Sequence, residues 1–261
     1  MIRVVRRIPR SGKVLALTDR GEKVLWDEEG DYYSRSTSSS DDSDWWPAEI
    51  YNDLLPGTER LTLFIPGNPG AGKSYYASQI IQRMREDMPI LLFTSLDEDD
   101  DNFRAFSDRI MRVRMEPETL RAINCASIRA RLGYGQDVLA LFDDVDKIAD
   151  RELNKATFNV IQDLLANGRV HDKSQKGGNI HVIATTHSLN DGLKTKYLTE
   201  NSDYVALFPK STTHMQLERL LSKIGLRRDI IPLLKSIRGR VCLIRKTAPM
   251  FFCLDSNFSL I

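Results

Sequence analysis

The chain is short of cysteine, of net charge and of long apolar runs, and each shortage closes off a class of protein. Its three cysteines, Cys125, Cys242 and Cys253, are odd in number, widely spaced and form no C-x-x-C pair. That pattern argues against a disulfide framework and for reduced thiols in apolar surroundings, in a cytosol-like compartment. No apolar stretch approaches membrane-spanning length, which leaves no candidate transmembrane helix. Against 37 Lys and Arg stand 36 Asp and Glu, a net charge of +1 that points neither toward nor away from a polyanionic partner. Acids are missing from the opening, where Arg3, Arg6, Arg7, Arg10 and Lys13 stand close together. A transit peptide has that composition, but Ile2-Arg3-Val4-Val5 has the pattern of a strand. The rest is ordinary for a soluble protein, and 261 residues suffice for one sizeable α/β domain with a bounded extension.

What the chain does have is a complete G-x-x-x-x-G-K-[ST] loop: Gly67, Asn68, Pro69, Gly70, Ala71, Gly72, Lys73 and Ser74, followed by Tyr75. The apolar run Leu61-Thr62-Leu63-Phe64-Ile65-Pro66 precedes it and a helix-compatible segment, Ser74 to Met88, follows. Strand, glycine-rich turn and helix is the context that gives the motif its meaning. Glycines let backbone N–H groups curl around phosphate oxygens, and the helix N-terminus adds partial positive charge. In such loops the lysine reaches the β- and γ-phosphates and the hydroxyl ligates Mg²⁺. The expected ligand is ATP with Mg²⁺, bound across residues 67–75, with Lys73 in a catalytic role and Ser74 on the metal.

Three regions are expected. Residues 1–33 read as a small basic β module, with strands at Arg3–Val5, Lys13–Leu17 and Glu22–Trp26 and a turn at Asp19-Arg20-Gly21. Its cations fit a solvated edge strand as well as a nucleic-acid contact. Residues 34–47 read as a polar Ser/Asp-rich linker, since Ser34 to Asp44 cannot bury enough apolar surface to order itself. Trp45 and Trp46 at its end are expected to dock against the domain that follows, residues 48–261. There, short apolar runs at Leu61–Pro66, Pro89–Ser95, Asp137–Asp143, Ile180–Thr186 and Tyr204–Phe208 alternate with helical patterns. The clearest helix is Glu152 to Asn167, with an apolar stripe of Leu153, Ala156, Phe158, Ile161, Leu164 and Leu165. The fold class is therefore α/β, a mostly parallel sheet covered by helices on both faces. A C-terminal β hairpin, Val241–Ile244 with Met250–Leu254, closes the chain.

Val138-Leu139-Ala140-Leu141-Phe142 delivers Asp143 and Asp144 at a strand end, where parallel sheets bind ligands. Asp143 is the natural partner of Mg²⁺, and Asp144 the candidate to orient and deprotonate water. Asp146 competes with Asp144 for that role. The fourth run delivers His187, placed to sense phosphate or position water, ahead of His171, His181 and His214. Arg169 follows the helix after the acidic pair and reads either as an arginine acting on a neighbouring subunit's γ-phosphate or as a surface arginine at a helix C-terminus. Lys196 is a second candidate for the trans role. The acid run Asp97 to Asp101 reads as the start of a helix rather than a metal site.

Taken in order, Ile65 to Ser74, Phe93-Thr94-Ser95, Phe142 to Asp146, Asn167-Gly168-Arg169, Thr186-His187 and Tyr204 to Lys210 resemble the P-loop ATPases of large DNA viruses. Those are similar to the poxvirus-type genome-packaging ATPases of the FtsK/HerA class. The resemblance covers roughly Glu59 to Phe252. It implies a RecA-like P-loop NTPase core, ATP hydrolysis shared between subunits of a homo-oligomeric ring, and double-stranded DNA threaded through the centre. It also implies residence in the infected cell's cytoplasm or in the virion, with no membrane partner. Many members carry Gln where this chain has His187. The alternative function is a nucleotide-gated, virion-associated module that remodels protein without moving DNA; a small-molecule kinase fits less well, because no recognisable lid arginines follow the core.

Overall fold

The computed structural model describes residues 13–18, 23–26, 32–34, 45–47, 60–95, 101–132, 135–170, 178–189, 192–237, 239–247, 251–254 and 257–260. The N-terminal part forms a four-stranded sheet of β1 (Lys13–Thr18), β2 (Lys23–Trp26), β3 (Tyr32–Ser34) and β4 (Trp45–Pro47), in the order β3-β2-β1-β4. β1 pairs antiparallel with β2, as two strand-like runs joined by a short turn should, and also with β4, so Trp45–Pro47 is itself a strand of this sheet. The expected strand at Arg3–Val5, the turn at Asp19–Gly21 and most of the serine-rich segment lie outside the described residues.

The main sheet contains β5 (Thr62–Pro66), β6 (Ile90–Phe93), β7 (Ile110–Arg112), β8 (Val138–Phe142), β9 (Ile180–Thr186), β10 (Tyr204–Leu207), β11 (Cys242–Arg245), β12 (Phe251–Leu254) and β13 (Asn257–Leu260). Their order is β7-β6-β8-β9-β5-β10-β11-β12-β13. The strands from β7 to β10 run parallel, and β11, β12 and β13 continue antiparallel. The C-terminal hairpin is β11 with β12, extended by β13. β9 is inserted between the phosphate-loop strand β5 and the acid-bearing strand β8.

Strand periodicity sends alternate residues to opposite faces. Along β8, Val138, Ala140 and Phe142 join one buried cluster, while Leu139 and Leu141 join the other. The first face is covered by α2 (Pro117–Arg121), α3 (Cys125–Leu132), α4 (Arg151–Asn167), α6 (His214–Lys223) and α7 (Ile231–Ser236), with Leu198 of α5 (Gly192–Asn201). The second is covered by α1 (Lys73–Arg83), through Ala77, Ile80 and Ile81. A sheet coated on both sides has no wet face, which is why its parallel strands read as unbroken apolar runs. α1 is shorter than the sequence pattern implied: Met84 turns extended, and the chain needs the residues up to Pro89 to reach β6. No described helix is long and apolar enough to cross a membrane.

Candidate active site

Register brings three strand ends together. Across β5 and β9, Ile65 faces Thr185 and Pro66 faces Thr186; across β8 and β9, Phe142 faces Ala184. The residues just beyond, Gly67, Asp143 and Thr185 to His187, therefore share one edge. Gly67 N–H donates to Thr186 O at 3.0 Å, and Asp143 N–H to Phe93 O at 2.9 Å.

The phosphate loop leaves β5 at Gly67 and enters α1 at Lys73. Gly70 and Gly72 have φ of +76° and +98°, a region side chains rarely tolerate. A Cβ on Gly67 would stand 3.1 Å from the Phe208 ring. Phe208 also packs edge-on to Tyr76, and Asn68 Nδ2 donates to Ser211 O at 2.8 Å. The segment after β10 thus braces the loop from behind. Ser74 is half-buried; Pro69, Gly70 and Tyr75 are exposed.

Lys73 is 6% exposed and its Nζ lies 3.6 Å from Asp144 Oδ1. Asp143 is buried. Thr185, fully buried at the end of β9, donates from Oγ1 to Asp143 Oδ1 at 2.9 Å and accepts from Asp144 N–H at 2.8 Å. One hydroxyl therefore spaces the two carboxylates. Asp144 has φ of +50°, and no other described non-glycine residue has a positive φ; Asp is among the few residues that adopt this conformation. It turns the chain out of β8 and aims its carboxylate at Lys73. His187 Nδ1 stands 3.3 Å from Asp144 Oδ1 and 3.7 Å from Asp146 Oδ1, with no hydrogen bond to that nitrogen. Burial draws His187 below the usual histidine value against the pull of Asp144, with the nearby Lys73 adding to the depression.

Lys73, Asp143, Asp144, Asp146 and His187 are thus brought to one edge. Arg169 is not: it is exposed beyond the C-terminus of α4, where Gly168 O accepts from Ile180 N at the start of β9, the opposite edge of the sheet. Lys196 is exposed and paired with Glu200 at 3.7 Å. His181 is a buried structural residue whose Nδ1 accepts from Leu61 N–H at 3.0 Å, and His214 is exposed. His171 and most of the acid run lie outside the described residues; Asp101 begins a 3-10 helix and pairs with Arg104. Thr185 and the Phe208 brace escaped the sequence reading. The visible signal was a Thr-Thr pair closing an otherwise apolar strand, a place where a buried hydroxyl needs a partner.

The site fits a magnesium nucleotide. The loop offers glycines at positive φ, which let its N–H groups turn toward phosphate oxygens, Lys73 supplies a buried cation, and the Ser74 hydroxyl with the Asp143 carboxylate is a hard oxygen donor set of the kind Mg²⁺ takes.

The sheet order, phosphate loop and acidic pair define the RecA-like P-loop ATPase fold. Among solved structures, the cytoplasmic domain of the Thermomonospora curvata type VII secretion ATPase EccC superposes with a TM-score of 0.51 at 14% identity, over 95% of this chain and 29% of that one. The pCW3 conjugation coupling protein TcpA, in its monomer form with ATPγS, matches with a TM-score of 0.48 at 10% identity, over 84% of this chain and 62% of that one. The chain spans less than two thirds of either. In sequence it is similar to uncharacterized protein V3 of Sputnik virophage, 29% identical over 211 residues, which is 76% of each protein. No protein-family profile matches the chain.

Proposed function

We propose that this chain hydrolyses ATP with Mg²⁺, as the motor subunit of a ring-shaped homo-oligomer that translocates or packages double-stranded DNA. The observation that carries the hydrolytic reading is the meeting of Lys73, Asp144 and His187 at the ends of three adjacent strands, beside the phosphate loop. Bound Mg²⁺ would neutralise phosphate charge, held by Ser74 and Asp143. Lys73 binds phosphate oxygens, and loop N–H groups orient them. Asp144 takes a proton from water at its Oδ1, fixed by the turn that its left-handed backbone makes. His187, whose Nδ1 stands 3.3 Å from that same oxygen, orients the carboxylate. The N-terminal sheet is then an accessory module on an ATPase domain that begins near residue 48.

The viral relative supports a place in the infected cell or the virion. Arg169 supports the ring: among the described residues it has no ion pair, and it stands at the edge opposite its own site. The second reading, a nucleotide-gated module acting on protein, is favoured by the fate of the C-terminal cations. In sequence Arg227, Arg228, Arg238, Arg240, Arg245 and Lys246 cluster between residues 227 and 246, the basic character that a channel contacting DNA phosphates would need. Arg245 is buried and bonds Thr247, Lys246 donates to Thr199 O, and Arg227 and Arg228 pair with Asp229 and Glu218.

The test is ATP turnover with and without duplex DNA, with Lys73→Ala as the blank. Stimulation by DNA supports the motor; turnover indifferent to DNA moves the assignment to the second reading. For the ring, Arg169→Ala should lose turnover and regain part of it when mixed with Asp144→Asn subunits, which contribute an intact arginine to a neighbour's site. Absence of recovery in well-mixed assemblies would place Arg169 outside the mechanism.

A further inference from the structure

The last residues of β9 are tied in two directions. Thr186 O accepts from Gly67 N–H, which fixes the first residue of the phosphate loop. One step on, His187 and Ser188 present consecutive N–H groups that no strand accepts. Both go to one carboxylate: His187 N lies 2.9 Å from Asp146 Oδ1 and 2.9 Å from Oδ2, and Ser188 N lies 2.9 Å from Oδ2. Successive N–H groups converging on an anion make a backbone nest, and here the chain supplies its own anion.

Asp146 reaches the nest because Asp144 turns the backbone left-handed at the end of β8, starting the tight turn Val145–Lys147. The acidic turn and the His187 turn are thereby one unit, joined to the phosphate loop through Thr186. The Asp146 oxygens bond this backbone, with Oδ1 also 3.7 Å from His187 Nδ1, whereas Asp144 is the carboxylate beside Lys73.

We infer that Asp146 is a positioning residue for hydrolysis: it holds the His187 turn so that the imidazole stands against Asp144, and it does not itself act on water. This rests on the hydrolytic reading above and goes beyond it by separating the roles of two aspartates two positions apart. The physical warrant is directional. Backbone N–H groups clamped from two adjacent residues fix both the φ/ψ of His187 and the plane from which its ring projects. Without the clamp the ring swings on a loop, and a displacement of about 1 Å in a catalytic group costs on the order of 10²-fold in rate.

The test compares Asp146→Asn with Asp146→Ala. Asparagine keeps a carbonyl oxygen that can take the Oδ2 place and accept both N–H groups; alanine keeps none. For a positioning residue, Asp146→Ala loses about 10²-fold in kcat with KM for ATP little changed, and Asp146→Asn recovers most of that loss. A base would behave otherwise, since asparagine cannot take a proton, so equal losses in the two variants overturn the inference. A second readout needs no turnover: amide hydrogen exchange at residues 187 and 188 should accelerate in Asp146→Ala and stay slow in Asp146→Asn. Unchanged exchange in folded Asp146→Ala overturns the clamp. If the wild type shows no Lys73-dependent turnover, the hydrolytic reading fails, and the catalytic role assigned to Asp146 with it. The exchange data then report the clamp alone.

Discussion

The two edges of the parallel sheet are built from the same strands and treat their polar groups in opposite ways. At the N-terminal edge a dense set of hydrogen bonds engages them. Arg60, 5% exposed, donates from Nη1 to Leu165 O at 3.0 Å, from Nε to Ile180 O at 2.5 Å, and from Nη2 to Leu164 O. It thus caps the C-terminus of α4 and stitches that helix to β9, while burial lowers its pKa to about 10. His181 and Asn179 are likewise engaged, and a Cβ on Gly168 would fall 2.7 Å from the Arg60 guanidinium. At the C-terminal edge the same chain leaves Lys73 with one loose ion pair, puts Asp144 in a left-handed conformation and leaves His187 Nδ1 without a hydrogen bond. Strain and unspent bonding capacity of this kind persist where the surrounding structure holds them in place, and they collect at functional sites. One edge holds the fold together; the other is kept ready for a ligand. Arg169 is the exception, an exposed arginine at the N-terminal edge.

The contrast can be broken from either side. The largest effect is expected from Lys73→Ala, which should abolish tight nucleotide binding and lower turnover by about 10³-fold or more while leaving the melting temperature close to wild type. Asp144→Asn comes next. Turnover should fall by roughly 10² to 10³-fold with ATP affinity intact, and folding should be unharmed because Asn also accepts φ near +50°. Retained turnover would move the base elsewhere. At the opposite edge Arg60→Met should behave in reverse. Three carbonyls lose the guanidinium, Leu164 O keeping only its bond from Gly168 N–H, so stability in a denaturant melt should drop by about 2 to 4 kcal/mol, with ATP affinity of the folded fraction unchanged. A loss of nucleotide binding without a loss of stability would erase the division between the edges.

The smallest effect concerns Lys246, at the N-terminal edge, whose ammonium is pushed by burial down to about 8 from the ordinary lysine value of 10.5. Between these values the unfolded chain binds a proton that the folded chain has released, so this residue's contribution makes stability rise with pH from about 8 to 10.5. Thermal melts across that range should show the rise in the wild type and a shallower one in Lys246→Met.

Local pattern made much of this legible. The glycine-rich loop needs a strand before it and a helix after it, and β5 and α1 are there; short apolar runs at Val138–Phe142 and Ile180–Thr186 had too few residues for helices and proved to be adjacent parallel strands. Helix α4 began within a residue of its expected start because Asp150 caps it, its side chain accepting from Leu153 N–H. Less legible was anything that depends on a neighbour distant in sequence. Thr185 looks like one more strand residue until β8 lies beside it. Asp146 looks like a spare acid until the end of β9 turns back onto it. Arg245 and Lys246 look like surface cations until β11 pairs with β10 and carries them inward.

By itself the sequence determined the phosphate-binding loop, the acidic strand end and the layered α/β class, because each follows from spacing within a few residues. Glycine freedom, strand alternation and helix capping act over that distance. Which aspartate faces Lys73, which one holds backbone, and which arginine is sealed inside were decided only by tertiary structure. Those outcomes depend on strand order and register, which set what meets across a sheet, and no local rule encodes a contact between residues 41 or 120 positions apart.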